Sequence, residues 1–116
     1  DFYELLPDLE MPEVWSTSAM VTALEMTCAA LVSPFLDDGE GTVGGHVDVA
    51  HVAPTPVGMT VTVSAKLTEV DGRKLTFSIE VRDEVESCGG GVHVRYIINH
   101  ERFNLKASEK TSGGGN

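Results

Sequence analysis

A single charged residue stands in the most apolar segment of this chain. Between Val14 and Leu36 the one residue with a full charge is Glu25, although the chain contains 18 acidic residues. An unpaired carboxylate in apolar surroundings is costly, so Glu25 has to be paired, hydrated or functional. Paired with a strand hydroxyl or a buried arginine, it would be a structural residue. Facing a pocket, it could act as a general base or as a nucleophile.

Thr17 lies where a helix is predicted to begin. Ser16, Thr17 or Ser18 could cap the first free N–H groups of that helix. A helix N-terminus also carries a partial positive charge and donors that can stabilise a developing oxyanion. Thr17 precedes Glu25 by eight residues, about two helical turns, so the two side chains are expected on similar faces. An N-cap and a site residue are both compatible with Thr17.

His51 ends a predicted strand and shares its face with Val47 and Val49. A histidine on such a face is often a satisfied core residue, but its titration near neutral pH also suits acid–base chemistry. The remaining histidines are weaker candidates for a site: His46, His93 and His100. We expect no metal site, because the histidines form no ligand pattern with each other or with cysteine.

The elements that position these residues are one long helix followed by four antiparallel strands. The helix is predicted to end near Leu36, where Pro34 and "DDGEG" interrupt it. It is apolar on nearly all sides, which predicts that it is enclosed on most of them. The segment after Gly41 alternates with period two, and Asp71-Gly72 predicts a hairpin turn. This order predicts an α+β fold in which a curved antiparallel sheet wraps around one central helix.

Two features concern the last predicted strand, "VHVRYIINHERF". The preceding "ESCGGG" is expected to form a loop or a bulge. Arg95 alternates with Val94 and Tyr96, so it is expected to point away from the apolar residues of the strand. This position suits a solvated strand face and also a contact with a substrate. We predict one domain over residues 1–106 and a disordered Ser/Gly-rich tail over 107–116.

Composition restricts the classes of partner. The net charge of −10 argues against nucleic-acid binding and against anionic membrane surfaces. Cys28 and Cys88 form no framework of disulfides, so we expect a cytoplasmic location. The acidic start is not typical of a signal peptide, and the broken apolar run favours a buried helix over a membrane span.

Three segments resemble a known family. They are "PEVWSTSAMVTALEMTC", "GEGTVGGHVDVAHVAPTPVGMTVTVSA" and "GGGVHVRYIINHERFN". Together they resemble the hotdog-fold acyl-CoA thioesterases of the fluoroacetyl-CoA thioesterase type. The resemblance implies hydrolysis of a short-chain acyl-CoA thioester without a cofactor, and a homodimer. It also implies that the usual first hotdog strand is absent or replaced here.

The same resemblance implies roles for individual residues. Thr17, Glu25 and His51 would act together on the thioester. Gly44 and Arg95 would contact the substrate, and Met11 stands where the family has an aromatic residue over the pocket. Two other functions stay open at this point: a non-catalytic acyl-CoA-binding module, and a dehydratase that acts on an acyl thioester, since a fold does not determine the reaction.

Overall fold

The computed structural model describes residues 14–114. The predicted order of a helix and then four strands is confirmed, with a second helix after the last strand. The elements are α1 (Thr17–Val32), a short 3-10 turn (Ser33–Phe35), β1 (Glu40–His51), β2 (Thr62–Asp71), β3 (Lys74–Arg82), β4 (Ser87–Asn99) and α2 (His100–Gly114).

The four strands form one antiparallel sheet in the order β1-β4-β3-β2. The predicted hairpin joins β2 to β3, and Gly72 at its tip has a positive φ of 60°, which glycine adopts without steric cost. The long connection between β1 and β2 lets β4 pair with β1, so β4 becomes a central strand. β1 and β2 are left at the two edges of the sheet.

α1 begins where the sequence predicts, and Ser16 is its N-cap. The Ser16 hydroxyl accepts a hydrogen bond from the N–H of Ala19 at 3.1 Å. The capping role of Ser16 leaves the Thr17 hydroxyl available for another partner.

One stripe of α1 is buried against the sheet. Its members repeat every four residues and therefore lie on one face of the helix: Met20, Leu24, Cys28 and Val32. The prediction that α1 is enclosed on most sides is wrong for the described chain, because Met26 is 67% and Leu31 44% exposed. A sheet can cover only one side of a helix, so the other apolar side stays open.

The sheet side of the core comes mainly from β3. Its inward residues are buried as the alternation predicts: Leu75, Phe77, Ile79 and Val81. Cys88 of β4 joins them in the core. The core is thus a helix-on-sheet layer of the α+β type.

At the beginning of β4 the predicted alternative of a bulge is confirmed, because Cys88 is skipped in the pairing of β4 with β3. Cys88 and the three glycines lie inside the strand rather than in a loop. A side chain at Gly89 would meet the backbone oxygen of Ala50 at 2.6 Å, and one at Gly90 would meet that of Ile79 at 2.6 Å. The glycines therefore permit close approach of the strands on both sides of β4.

The two faces of β4 are the reverse of the prediction. Arg95 points toward α1 and is buried, whereas Val92 and Tyr96 are 41% and 40% exposed on the opposite face. The alternation of apolar residues misled the prediction because the inward positions hold polar groups that have partners.

α2 replaces the predicted end of the last strand and much of the predicted tail. The Asn99 side-chain oxygen accepts a hydrogen bond from the N–H of Arg102 at 3.0 Å, which is how an N-cap residue starts a helix. The helix continues through Gly114, so residues 107–114 are helical where disorder was expected. Its segment "LKASEK" consists mainly of good helix formers, which explains the difference.

Two predictions concern residues outside the described part. The prediction on the first hotdog strand and that on Met11 both concern residues before residue 14. Within residues 14–114, one helical segment, Thr17–Phe35, is long and apolar enough to cross a membrane. A core helix that packs on a sheet passes the same test.

Candidate active site

Thr17 and His51 meet at the N-terminal end of α1. The Thr17 Oγ1 lies 3.0 Å from His51 Nδ1, within hydrogen-bond distance. The other ring nitrogen of His51, Nε2, is buried and has no hydrogen-bond partner among the described residues. Trp15 packs edge-on against the imidazole, with the ring centroids 6.0 Å apart. His51 is therefore held by Thr17 and Trp15 and retains one free nitrogen.

An open cavity of about 280 Å³ lies beside this pair. It is lined by the helix entrance and by the end of β1: Val14, Trp15, Ser16, Thr17, His51, Val52, Ala53 and Pro54. The first N–H groups of a helix have no acceptor within the helix. A ligand in this cavity would thus meet a hydroxyl, an imidazole and the positive end of α1.

Glu25 makes an ion pair with Arg95. Its Oε2 lies 3.8 Å from Arg95 Nη1, and the Glu25 side chain is 40% exposed while that of Arg95 is 8% exposed. The structure thus brings Glu25 to a buried arginine, one of the two structural pairings that the sequence left open. The exposed part of the carboxylate remains accessible to water or to a substrate.

Arg95 is anchored on Thr42 of β1. Its Nε donates to the Thr42 hydroxyl at 2.8 Å, and its Nη2 donates to the Thr42 carbonyl at 2.8 Å. A planar guanidinium held along one edge presents its remaining nitrogen in a defined direction. Here that nitrogen, Nη1, is directed toward Glu25.

His93 completes the surroundings of Arg95 and was missed as a site residue. It is fully buried, and its Nε2 lies 3.4 Å from Arg95 Nη1. The signal in the sequence was the i, i+2 spacing of His93 and Arg95, which places both side chains on one face of a strand. That signal was outweighed by the apolar alternation of their neighbours.

Gly44 lies over the same cluster. A Cβ at this position would lie 3.3 Å from Glu25 Oε2, 3.5 Å from the His93 ring and 3.7 Å from Arg95 Nη1. The next residue, Gly45, is skipped in the pairing of β1 with β4, which marks a bulge. The small space above Gly44 is therefore bordered by the carboxylate, the imidazole and the guanidinium.

The sequence-predicted residues thus form two groups rather than one. Thr17 and His51 are in contact at the start of α1, and Glu25, Arg95 and Gly44 lie together further along. Eight residues separate Thr17 from Glu25, about 12 Å along the helix axis. A single bound molecule can reach both groups only in one of two ways. It lies between them along the side of α1, or a second copy of the chain supplies one of the two groups.

A hydrogen-bonded chain holds the loop that follows His51. The N–H of Trp15 donates to the Thr55 carbonyl at 2.8 Å, and the buried Thr55 hydroxyl donates to Asp83 Oδ2 at 3.0 Å. The other oxygen of Asp83 accepts the N–H groups of Val85 and Glu86, each at 2.8 Å. Asp83 thereby ties the β3–β4 connection to the loop and the helix entrance that border the cavity.

The ionised form of Asp83 is favoured in the folded protein. Hydrogen bonds from the N–H groups of Glu86 and Val85 are the main causes that lower the pKa of the Asp83 carboxyl. Because the folded pKa lies below the unfolded one, this contribution to stability is present above the ordinary aspartate pKa of about 3.9. It is lost as the pH falls through the lower, folded value.

We therefore expect Asp83→Asn to lower the thermal unfolding midpoint at pH 7 and to lose much of this difference near pH 2. Thermal melts of both proteins across this pH range measure the effect, with Asp48→Asn, an exposed acid on β1, as the control. A difference between Asp83→Asn and the parent protein that stays constant down to the lowest pH would show that the carboxylate charge is not the cause.

Cys28 lies on the buried stripe of α1 near the Glu25–Arg95 pair. Burial raises the pKa of its thiol to about 11, with Arg95 acting in the opposite direction. Cys28 therefore stays a neutral thiol and is a packing residue rather than a nucleophile. Among the residues from 14 to 114, no three His, Cys, Asp or Glu side chains cluster as metal ligands would.

Comparison with known proteins gives consistent matches over most of the chain. A family model described as fluoroacetyl-CoA-specific thioesterase matches residues 4–101. The fluoroacetyl-CoA thioesterase of Streptantibioticus cattleyicolor is 43% identical over 105 residues, which cover 90% of this chain and 76% of that protein.

Solved structures agree with these sequence matches. A variant of the fluoroacetyl-CoA-specific thioesterase in complex with fluoroacetate and CoA has a TM-score of 0.87 at 41% identity, covering 94% of this chain and 88% of that chain. A hot-dog-like protein from Thermanaerovibrio acidaminovorans has a TM-score of 0.81 at 21% identity, covering 84% and 73% of the two chains. The predicted hotdog fold is confirmed.

Proposed function

Because this chain belongs to the fluoroacetyl-CoA-specific thioesterase family, we propose that it hydrolyses a short-chain acyl-CoA thioester to the carboxylate and free CoA. The observation that carries the proposal is the contact of Thr17 with His51 beside the start of α1, with a partly exposed carboxylate, Glu25, further along the same helix. Hydrolysis of a thioester requires an activated water or a carboxylate nucleophile, donors for the oxyanion and a proton for the leaving sulfur.

In this proposal the thioester lies along α1 between the two groups. The developing oxyanion is stabilised by the first turn of the helix together with the Thr17 hydroxyl. His51 supplies the proton to the departing CoA sulfur, since its free Nε2 has no competing partner among the described residues. The acyl end extends toward Gly44, where an added Cβ would already lie in tight contact, 3.3 Å from Glu25 Oε2, so glycine leaves space that a side chain would take.

Glu25 brings about the attack of oxygen on the thioester carbonyl carbon in either of two ways. As a general base, it removes a proton from the water that attacks the carbonyl carbon, and the C–S bond then breaks. As a nucleophile, it forms an anhydride with the acyl group and expels CoA thiolate, and water then cleaves the anhydride. Arg95 supports both ways because its positive charge attracts the Glu25 carboxylate and orients it.

We also infer that the chain works as a homodimer. α1 exposes Met26 on the side opposite the sheet and Leu31 near its C-terminal end. The 12-residue edge strand β1 pairs with β4 alone within residues 14–114. Exposed apolar surface and a long free strand edge both favour association with a second copy.

We expect the protein to have twice its chain mass of 12.4 kDa in solution. Light scattering after size-exclusion chromatography measures this mass at the concentrations used for activity. A mass equal to one chain at those concentrations would contradict the dimer without affecting the proposed reaction.

The reaction itself is tested by thiol release from a panel of short acyl-CoA thioesters. We expect turnover of at least one member well above the rate measured with His51→Ala. Rates for the parent protein that equal the rate without protein across the panel would show that the chain is not a thioesterase for short acyl groups. Binding calorimetry with the same panel would then separate a binding module from an inactive protein.

A further inference from the structure

His93 is a fully buried histidine beside the proposed site. It stacks on Phe77, with ring centroids 6.4 Å apart and an angle of 27° between the planes. Its Nδ1 lies 2.8 Å from the carbonyl oxygen of His46, and its Nε2 lies 3.4 Å from Arg95 Nη1. Both ring nitrogens thus have a partner. One partner is the backbone of β1, and the other is the Arg95 side chain of β4, the strand that also carries His93.

Those partners determine which nitrogen of His93 carries the proton. A carbonyl oxygen can only accept, so Nδ1 must donate to His46. A guanidinium can only donate, so Nε2 must be the acceptor for Arg95. His93 is therefore the neutral Nδ1–H tautomer, and it faces the guanidinium with a lone pair.

The hydrogen bonds of Arg95 show what this lone pair does. Thr42 holds one edge of the guanidinium through Nε and Nη2. The third nitrogen, Nη1, lies between the ring of His93 and Glu25, at 3.4 Å from the former and 3.8 Å from the latter. His93 thus supplies a second point of attachment for the guanidinium, at Nη1 on the side away from Thr42.

We propose that His93 is a positioning residue that orients Glu25 through Arg95. The inference rests on the proposed function, because the orientation matters for turnover only if Glu25 acts on the substrate. Displacement of a reacting group by about 1 Å can cost about 100-fold in rate. Loss of the acceptor at Nε2 should therefore lower kcat more than it raises KM.

A competing explanation is that His93 only joins β4 to β1 through the His46 carbonyl. Two substitutions separate the two roles, since each preserves one nitrogen of the ring. In His93→Asn the amide nitrogen can replace Nδ1 and keep the bond to His46. In His93→Gln the amide oxygen can replace Nε2 and keep an acceptor for Arg95.

We expect His93→Gln to retain kcat within about threefold and His93→Asn to lose about 10- to 100-fold, with little change in KM for either variant. The opposite order of activities would overturn the proposal and support the purely structural role. If His93→Asn does not fold, as judged by circular dichroism, the decision falls to His93→Gln alone. A folded His93→Gln variant that has lost tenfold or more in kcat contradicts the proposal.

A double-mutant cycle tests the route through Arg95. In an Arg95→Gln background, His93→Asn should cause no further loss of kcat, because the group that it positions is gone. A full, additive loss in that background would show that His93 does not act through Arg95. Absence of thioester turnover by the parent protein would instead count against the proposed function. The coupling of His93 with Arg95 would then be measured by thermal unfolding of the parent protein, the two single variants and the double variant. Additive shifts of the unfolding midpoint would overturn the proposal that His93 acts through Arg95.

Discussion

Replacing Glu25 by glutamine is expected to lower kcat for thioester hydrolysis by about 10²- to 10⁴-fold, the usual contribution of a positioned acid or base. The amide has nearly the shape of the carboxylate but can neither remove a proton from water nor attack the thioester. KM should change little, because the acyl group would still reach Gly44 and the first turn of α1. Steady-state kinetics with the best member of the acyl-CoA panel measures both constants.

Stability should also be affected. The ion pair with Arg95 is 3.8 Å long, with the carboxylate 40% and the arginine 8% exposed, so its loss should cost more unfolding free energy than a surface pair, about 1 kcal/mol, and less than a buried one, about 3–5 kcal/mol. Glu40→Gln is the matched control, because Glu40 also pairs with an arginine, Arg73, at 3.5 Å. If Glu25→Gln retains the activity of Glu40→Gln, Glu25 is a structural residue and the proposed mechanism is wrong.

The two possible roles of Glu25 differ in where oxygen from water appears. In a single turnover in ¹⁸O-labelled water, an anhydride that water cleaves at the Glu25 carbonyl carbon would place the label in the Glu25 carboxylate, so a labelled Glu25 establishes the nucleophilic role. A general base would leave Glu25 unlabelled and place the label in the product acid alone. Mass spectrometry of the peptide that contains Glu25 distinguishes these outcomes.

The second large effect is expected at the Thr17–His51 pair. His51→Ala should lower kcat by about 100-fold or more, because it removes the proton donor for the leaving sulfur. Thr17→Val should lose about 10- to 100-fold since it removes a donor to the oxyanion and the partner of Nδ1, whereas Thr17→Ser keeps the hydroxyl and most of the activity. The same kinetic assay measures all three variants.

Thr22→Val serves as the control for the threonine substitution. Thr22 lies on the same helix, and its hydroxyl donates to the Ser18 carbonyl rather than to a site residue. The substitution should leave kcat unchanged. If Thr17→Val is as active as Thr22→Val, the contact between Thr17 and His51 has no part in turnover.

The contrast between Glu25 and its partner shows what the sequence alone could predict. Glu25 was recognisable because one charge in an apolar helix needs a reason, and the helix itself is evident from its composition and its capping serine. Arg95 was placed on the wrong face, because the period-two alternation of β4 counts apolar residues. It cannot indicate that a buried arginine finds its partners in Thr42 of β1 and Glu25 of α1.

Other departures have the same origin in contacts distant along the chain. His93 depends on the His46 carbonyl, 47 residues away, and the glycines of β4 are required by the strands on either side of it. Asn99 is different, because its capping role is local and the sequence does contain the signal for the start of α2. Its apolar neighbours Ile97 and Ile98 made a longer strand the simpler interpretation.

The central claim is that the Thr17–His51 pair and Glu25 act on the same thioester. The most direct test compares kcat of Glu25→Gln, His51→Ala and the double variant with one acyl-CoA substrate. Residues that act as a unit give non-additive losses, so the double variant should be about as slow as the slower single variant. Losses that multiply in the double variant would contradict a single site built from both groups.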